Sequence, residues 1–214
     1  MSAPGPRRLV VVVGTATEVG KTWVAAQSFE AGRGPTDAEV LAAASGEAPE
    51  QVCPAHRWYP VPMAPPMAAD VLGRPPFGVA DLVDEVEWPR TRVDVGLVEL
   101  AGGVCSPQAD DGDAVAVTSL LRPDVVVVVA DAGLGAVNAV RQSAVALAGV
   151  AGPTPAAAPE LAVVLNRFDP TRELHRRNLD WLRGRDGLTV LAGDPARLEV
   201  LARGLAEADA DEVR

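Results

Sequence analysis

Apolar positions in this chain gather in short, nearly unbroken runs. Leu9–Val13, Val93–Leu100, Asp124–Ala130 with its consecutive valines, Leu161–Leu165 and Leu188–Leu191 are such runs. Continuous apolar stretches of this length suit strands buried on both faces of a parallel sheet. Segments that read as helices separate them. One opens at Gly20-Lys21-Thr22 and runs through Trp23 to Ala26. A second starts at Thr36, where Thr36 and Glu39 form a capping box, and stops at Gly46. Others are expected over Val79–Glu87, Asp110–Leu121 with Pro123 just beyond, Ala136–Gly149, Thr171–Arg183 and Pro195–Glu207. Residues 27–35 and 152–159 read as loops by their Gly and Pro content. Residues 1–8 read as a loose tail. Residues 49–78 are rich in proline and hold Trp58, Tyr59, Met63, Met67 and Phe77, which predicts a long irregular connection of the functional kind. Strands alternating with helices predict a single α/β domain over residues 1–214 with a doubly wound, mostly parallel sheet.

Ligands of such sheets bind beyond the carboxyl ends of the strands. After the first strand the chain reads Gly14-Thr15-Ala16-Thr17-Glu18-Val19-Gly20-Lys21-Thr22. A glycine-bounded loop between a strand and a helix is the arrangement in which backbone N–H groups cradle nucleotide phosphates, so the sheet is predicted to be of the P-loop NTPase type. Lys21 would reach the β/γ-phosphates and the Thr22 hydroxyl would hold Mg2+. Lys21 is the only lysine in the chain; every other strong cation is arginine. A compact ammonium serves a phosphate differently from a forked guanidinium. The spacing is unusual, since five residues separate Gly14 from Gly20 where the common motif has four.

Three strand-end or helix-start polar residues have two readings each. Glu99 precedes Leu100-Ala101-Gly102-Gly103 at the end of an apolar run. It is either an edge carboxylate in water or an Mg2+ ligand facing Thr22, because Mg2+ favours one or two carboxylates plus phosphate oxygens. Asp37 either favours a helix dipole or joins the same ion. Asn166 either reads a purine edge or simply begins a turn.

Composition narrows the classes. A net charge of −10 argues against a nucleic-acid surface. Cys53 and Cys105 form no CxxC pair, so a reduced, cytoplasmic setting is expected. The apolar run after Arg7 and Arg8 ends at Gly14 without a cleavage-like segment, and no run is long enough to span a membrane.

Gly14–Thr22 resembles the GTDTEVGKT-type loop of the dethiobiotin synthetase family, which shares the five-residue spacing. Val98–Gly103 resembles its VEGAGG segment. Leu134-Gly135-Ala136-Val137-Asn138 resembles its LGxxN turn, and Leu165-Asn166 its strand-end asparagine. Val61–Met67 resembles its proline-rich stretch, and Gln27-Ser28 with Thr36-Asp37-Ala38 resembles parts of its KPVxSG…DA region. These landmarks cover roughly residues 9–170. The resemblance implies ATP- and Mg2+-dependent conversion of 7,8-diaminononanoate and CO2 to dethiobiotin in biotin synthesis, carried out by a cytoplasmic homodimer. It implies that Glu18, Val19, Gly20, Lys21, Thr22 and Trp23 wrap the phosphates, that Leu100, Ala101 and Gly102 adjoin the nucleotide, and that Asn166 meets adenine. Thr22, Asp37 and Glu99 would hold Mg2+, while Thr17 and Ser28 would face the diamine.

The family also places a catalytic lysine on a strand after the P-loop helix. This chain has no lysine other than Lys21, and no apolar strand follows Ala26. Arg33 is the nearest cation. Leu100 replaces a glycine of VEGAGG, where bulk is expected to crowd the phosphate side. Nucleotide binding is therefore expected to survive better than ring closure. A second reading is a non-catalytic nucleotide-binding protein of the same fold. A ParA/MinD-like ATPase would carry a lysine where Ala16 stands.

Overall fold

The computed structural model describes residues 5–26, 36–154 and 157–192. In chain order its elements are β1 (Arg8–Gly14), α1 (Lys21–Ala26), α2 (Asp37–Ser45), α3 (Pro49–Val52), α4 (Pro65–Val71), α5 (Val79–Asp84), β2 (Val95–Gly103), β3 (Pro107–Ala109) and β4 (Gly112–Asp113). Then follow α6 (Ala114–Leu121), β5 (Val125–Asp131), α7 (Ala136–Leu147), β6 (Glu160–Asn166), α8 (Glu173–Gly184) and β7 (Thr189–Ala192). Five strands form one sheet in the order β2-β1-β5-β6-β7, and every pairing in it is parallel. The fold is α/β, as the alternation predicted.

Period-two geometry explains why the valine runs sit at the centre. Successive side chains of a strand leave opposite faces. Val11, Val13, Val126 and Val128 therefore join the larger core, while Val10, Val12, Val125 and Val127 join a smaller one on the other face. β1 and β5 pair in register from Val10 opposite Val125 to Gly14 opposite Val129. This brings the loop after β1 to the same end of the sheet as the ends of β2, β5 and β6.

Several boundaries differ from the sequence reading. The described end of the expected loose tail runs into the sheet, because the N–H groups of Arg7 and Arg8 donate to the carbonyls of Val93 and Asp94 at 3.0 Å each; residues 1–4 lie outside the described residues. A helix was expected from Asp110, but residues 107–113 form the β3–β4 hairpin and α6 begins at Ala114. The acidic residues explain this. Asp110 accepts from the Phe77 N–H at 3.0 Å, Asp111 from the Val79 N–H at 2.7 Å, and Asp113 caps α6 through the Ala116 N–H at 3.1 Å. Only the last serves the N-terminus of α6; Asp111 instead meets the first N–H of α5, and Asp110 a residue just before that helix.

Residues 49–78 are less irregular than expected. They contain α3, a 3-10 turn at Ala55–Arg57, and α4. Proline opens both helices, where its missing N–H costs nothing. The Arg57 guanidinium grips both oxygens of Glu85 at 2.8 and 2.6 Å and lies 4.0 Å over the Phe77 ring. That contact ties the segment to the end of α5. The helix expected over Pro195–Glu207 lies outside the described residues, as do Ser28 and Arg33. Among the described residues no helix is long and apolar enough to cross a membrane.

Candidate nucleotide and metal site

β1 ends at Gly14, and the chain turns through Thr15–Gly20 before α1 begins. The turn crosses the end of β2 at backbone distance. A Cβ on Gly14 would lie 2.7 Å from the Ala16 carbonyl oxygen and 2.9 Å from that of Gly102. The Thr15 N–H anchors the other side on the Val129 carbonyl at 2.9 Å. Glu18 has φ +60° and Gly20 φ +85°. Left-handed residues of this kind curl successive N–H groups into an anion-binding concavity. A Cβ on Gly20 would sit 2.2 Å from Asn166 Nδ2, so this position also needs glycine for space. Lys21 follows at the start of α1 with only 7% of its surface exposed.

The structure brings Thr22, Asp37 and Glu99 together from α1, α2 and β2. Thr36 caps α2 with both halves of its capping box in place, which fixes Asp37 as the first helical residue. Glu99 stands opposite Val12 in the β1–β2 register. Thr22 Oγ lies 3.0 Å from Asp37 Oδ1 and 2.8 Å from Glu99 Oε1. Glu99 Oε2 is buried with no partner among the described residues. Burial is the main cause holding the Glu99 carboxyl up to about 7, aided by the Asp37 charge and opposed by the Thr22 hydrogen bond and Lys21. A hydroxyl has one proton, so Thr22 can donate to only one of its two neighbours. Protonated Glu99 donating to Thr22, and Thr22 to Asp37, satisfies both contacts. A cation would satisfy them too, and would also use the orphaned Oε2. The donor set of two carboxylates and a hydroxyl fits a hard divalent cation. Among the described residues no group of three or more His, Cys, Asp or Glu could hold a metal unaided. Phosphate oxygens and water would have to complete the shell, as suits Mg2+.

The raised Glu99 pKa has a defined sign in stability. Its ordinary value is 4.5 and its folded value about 7, so the folded state holds more protons between these pH values. Stability without divalent cations therefore falls as pH rises through that window. Thermal unfolding in chelator should show a lower midpoint at pH 8 than at pH 5.5, and Glu99→Gln should flatten that difference. Equal slopes for both proteins would show that Glu99 is not the group responsible.

Other expected site residues divide into those at the loop and those turned away. Val19 is buried beneath the loop and packs on the smaller core. Thr17 is exposed beside Gly102, whose φ is +67°. Trp23 is placed by its backbone in α1. The Leu100 side chain enters the larger core, so its bulk does not crowd the phosphate side as the sequence suggested. The Ala101 N–H and C=O are both engaged by the Gln108 carboxamide, at 3.2 and 2.8 Å. Asn166 is buried, and its Nδ2 donates to the Val19 carbonyl at 2.9 Å. Sequence reasoning placed Asp131 and Arg167 only among the positions just after strands, without a role, and did not single out Gln108 or Ser106. Ser106 Oγ accepts from the Gly103 N–H at 2.8 Å and shapes the glycine turn. The position directly after β6, next to Asn166, was the signal that pointed to Arg167.

No protein-family model matches the chain. Curated relatives do. The chain is 33% identical to the ATP-dependent dethiobiotin synthetase BioD of Saccharopolyspora erythraea, in an alignment covering 94% of this chain and 96% of that protein. The corresponding synthetase of Anaeromyxobacter dehalogenans is also 33% identical, with 88% and 91% covered. The chain belongs to the dethiobiotin synthetase family. A further relative, from Streptomyces avermitilis, is 35% identical over 61% of each chain. The Saccharopolyspora alignment spans 226 positions, more than the 214 residues of this dethiobiotin synthetase family member. Relatives therefore carry residues that this family member lacks.

Proposed function

We propose that the chain binds MgATP in the loop after β1 and is of the ligase type that makes dethiobiotin from 7,8-diaminononanoate, CO2 and ATP. The observation that carries this reading is the Thr22 hydroxyl held between Asp37 and Glu99 one residue after the buried Lys21. Thr22, Asp37 and Glu99 would hold Mg2+, which supplies charge neutralisation on the terminal phosphates when bound. The backbone N–H groups of Val19 and Gly20, which meet no acceptor among the described residues, and the Lys21 ammonium bind the same phosphates. Asn166 Nδ2 is used on Val19, which leaves Oδ1 to accept from an adenine amino group. Phosphoryl transfer to a carbamate needs positioning and charge stabilisation rather than a protein nucleophile. One amine of the substrate adds CO2 and loses a proton. A carbamate oxygen then attacks the γ-phosphorus and expels ADP. The second amine attacks the carbamoyl carbon, phosphate leaves, and the cyclic urea forms with loss of a proton.

A cavity of about 520 Å3 lies beside the β3–β4 hairpin, lined in part by Pro66, Met67, Asp70, Arg74, Pro107 and Asp110. An apolar wall carrying both charges suits an alkyl chain with polar ends. Met67 and Val71, one turn apart on α4, are exposed, as is Met63 just before the helix, which offers a homodimer an apolar surface. Light scattering of the purified chain tests that assembly, and a monomer at micromolar concentration would exclude it.

Ring closure is the weaker half. The family's second lysine has no counterpart in a chain whose only lysine is Lys21. A fluorescent ATP analogue should bind in an Mg2+-dependent manner, while dethiobiotin formation followed by mass spectrometry should be far below what binding allows. Absence of Mg2+-dependent binding would overturn the first half, and normal turnover the second. The lone lysine also favours a second reading, a nucleotide-binding protein without catalysis. Complete absence of turnover with intact binding would select it.

A further inference from the structure

The proposed chemistry leaves Arg167 unused, yet this side chain holds the phosphate loop. In a planar trans peptide the C=O and the following N–H point in opposite directions, so fixing one carbonyl aims the next N–H. The Glu18 carbonyl accepts from Arg167 Nη2 at 3.0 Å, and the Val19 carbonyl accepts from Asn166 Nδ2 at 2.9 Å. These are consecutive peptide units. Both carbonyls are drawn to the end of β6, so the N–H groups of Val19 and Gly20 are turned away from it. Neither N–H meets a protein acceptor among the described residues. The arrangement holds Glu18 at φ +60° and is itself built on Arg167 at φ +53°. Left-handed backbone at non-glycine residues persists where several contacts determine it. Here Asp131 Oδ2 lies 3.4 Å from Arg167 Nη1, and Asp131 Oδ1 accepts from the Gly133 N–H at 2.8 Å. A continuous chain of contacts thus runs from the end of β5 through Arg167 to the loop.

We propose that Arg167, aimed by Asp131, is a positioning residue that pre-sets the loop's N–H groups for the nucleotide's phosphates. This inference rests on the nucleotide reading above. It differs from a base-contacting role for the end of β6, because it assigns Arg167 to the phosphate half of the ligand. It also differs from simple attraction of an anion by a nearby cation.

Calorimetric titration of the full chain with MgATP, and with inorganic tripolyphosphate in Mg2+, tests it. Arg167→Met should weaken both ligands alike, by about tenfold, the size expected for one lost orienting hydrogen bond to a charged group. Arg167→Lys should recover part of the loss. Asp131→Asn is the decisive variant, since it keeps the Arg167 charge and removes a negative one. Attraction by charge alone predicts tighter binding in Asp131→Asn, whereas positioning predicts weaker binding. Tighter or unchanged binding there, or loss of MgATP without loss of tripolyphosphate in Arg167→Met, overturns the proposal. So does a fall in thermal midpoint that accounts for the affinity loss and is not relieved by Arg167→Lys. If the unaltered chain binds neither ligand, the nucleotide reading itself fails, an outcome distinct from unaltered variants in a protein that binds.

Discussion

Lys21→Ala should lower MgATP affinity by roughly a hundredfold or more while leaving the fold intact. Lys21 is nearly buried at the start of α1, so its charge acts on a bound phosphate with little screening by water. Removing one partner of such a buried charged contact costs several kcal/mol in other complexes, which sets the expected scale. Lys21→Arg should not restore binding, because a planar fork is larger than an ammonium and directs its donors differently. Titration with a fluorescent ATP analogue, beside circular dichroism and thermal melts, reads both halves. Retention of affinity within a few fold in Lys21→Ala would remove the phosphate-loop reading.

Gly20→Ala should be the most damaging single methyl in the site. Gly20 has φ +85°, which costs an alanine about 1–2 kcal/mol before any contact is counted. The added Cβ would then sit 2.2 Å from Asn166 Nδ2, and that nitrogen is committed to the Val19 carbonyl. Relief requires either breaking that hydrogen bond or moving the loop, and overpacking of this kind costs about another 1–3 kcal/mol. We expect a thermal midpoint lower by about 5–10 °C together with near-complete loss of MgATP binding. A Gly20→Ala protein with native stability and affinity would mean that the loop is free to adopt other conformations. The double variant Gly20→Ala/Asn166→Ala should recover part of the stability but not the affinity, since the clash is relieved and the tether is gone.

The sheet was legible because its strands are buried on both faces. Burial on both sides demands apolar side chains at every position, and the valines of β1 and β5 satisfy that demand in plain sight. The loop after β1 was legible for a related reason. Its close approach to the end of β2 and to Asn166 leaves no room for a Cβ at Gly14 or Gly20, and these glycines are close together in the chain beside Lys21. The gathering of Thr22, Asp37 and Glu99 could be anticipated only through strand ends and a capped helix start, because their meeting depends on three separate elements. The β3–β4 hairpin was hidden by the run Asp110-Asp111-Gly112-Asp113, whose carboxylates suit a helix start but are shared with the backbone of Phe77 and Val79. Leu100 misled for the opposite reason. It lies two residues before the glycine pair Gly102-Gly103, which faces the loop, but alternation along β2 sends its side chain into the core. Arg167 was marked only by its place after β6, since its partner is a backbone carbonyl far away in the chain.

Gln108 has a consequence for where the sheet stops. Among the described residues β2 is an outermost strand, and an outermost strand presents backbone groups that another chain can pair with. The Gln108 carboxamide meets both the N–H and the C=O of Ala101, as a neighbouring strand's peptide group would. A side chain amide thus takes the place of one more rung at the end of β2 that carries the glycine turn. Among the described residues, a further strand would have to displace Gln108 before it could pair at Ala101.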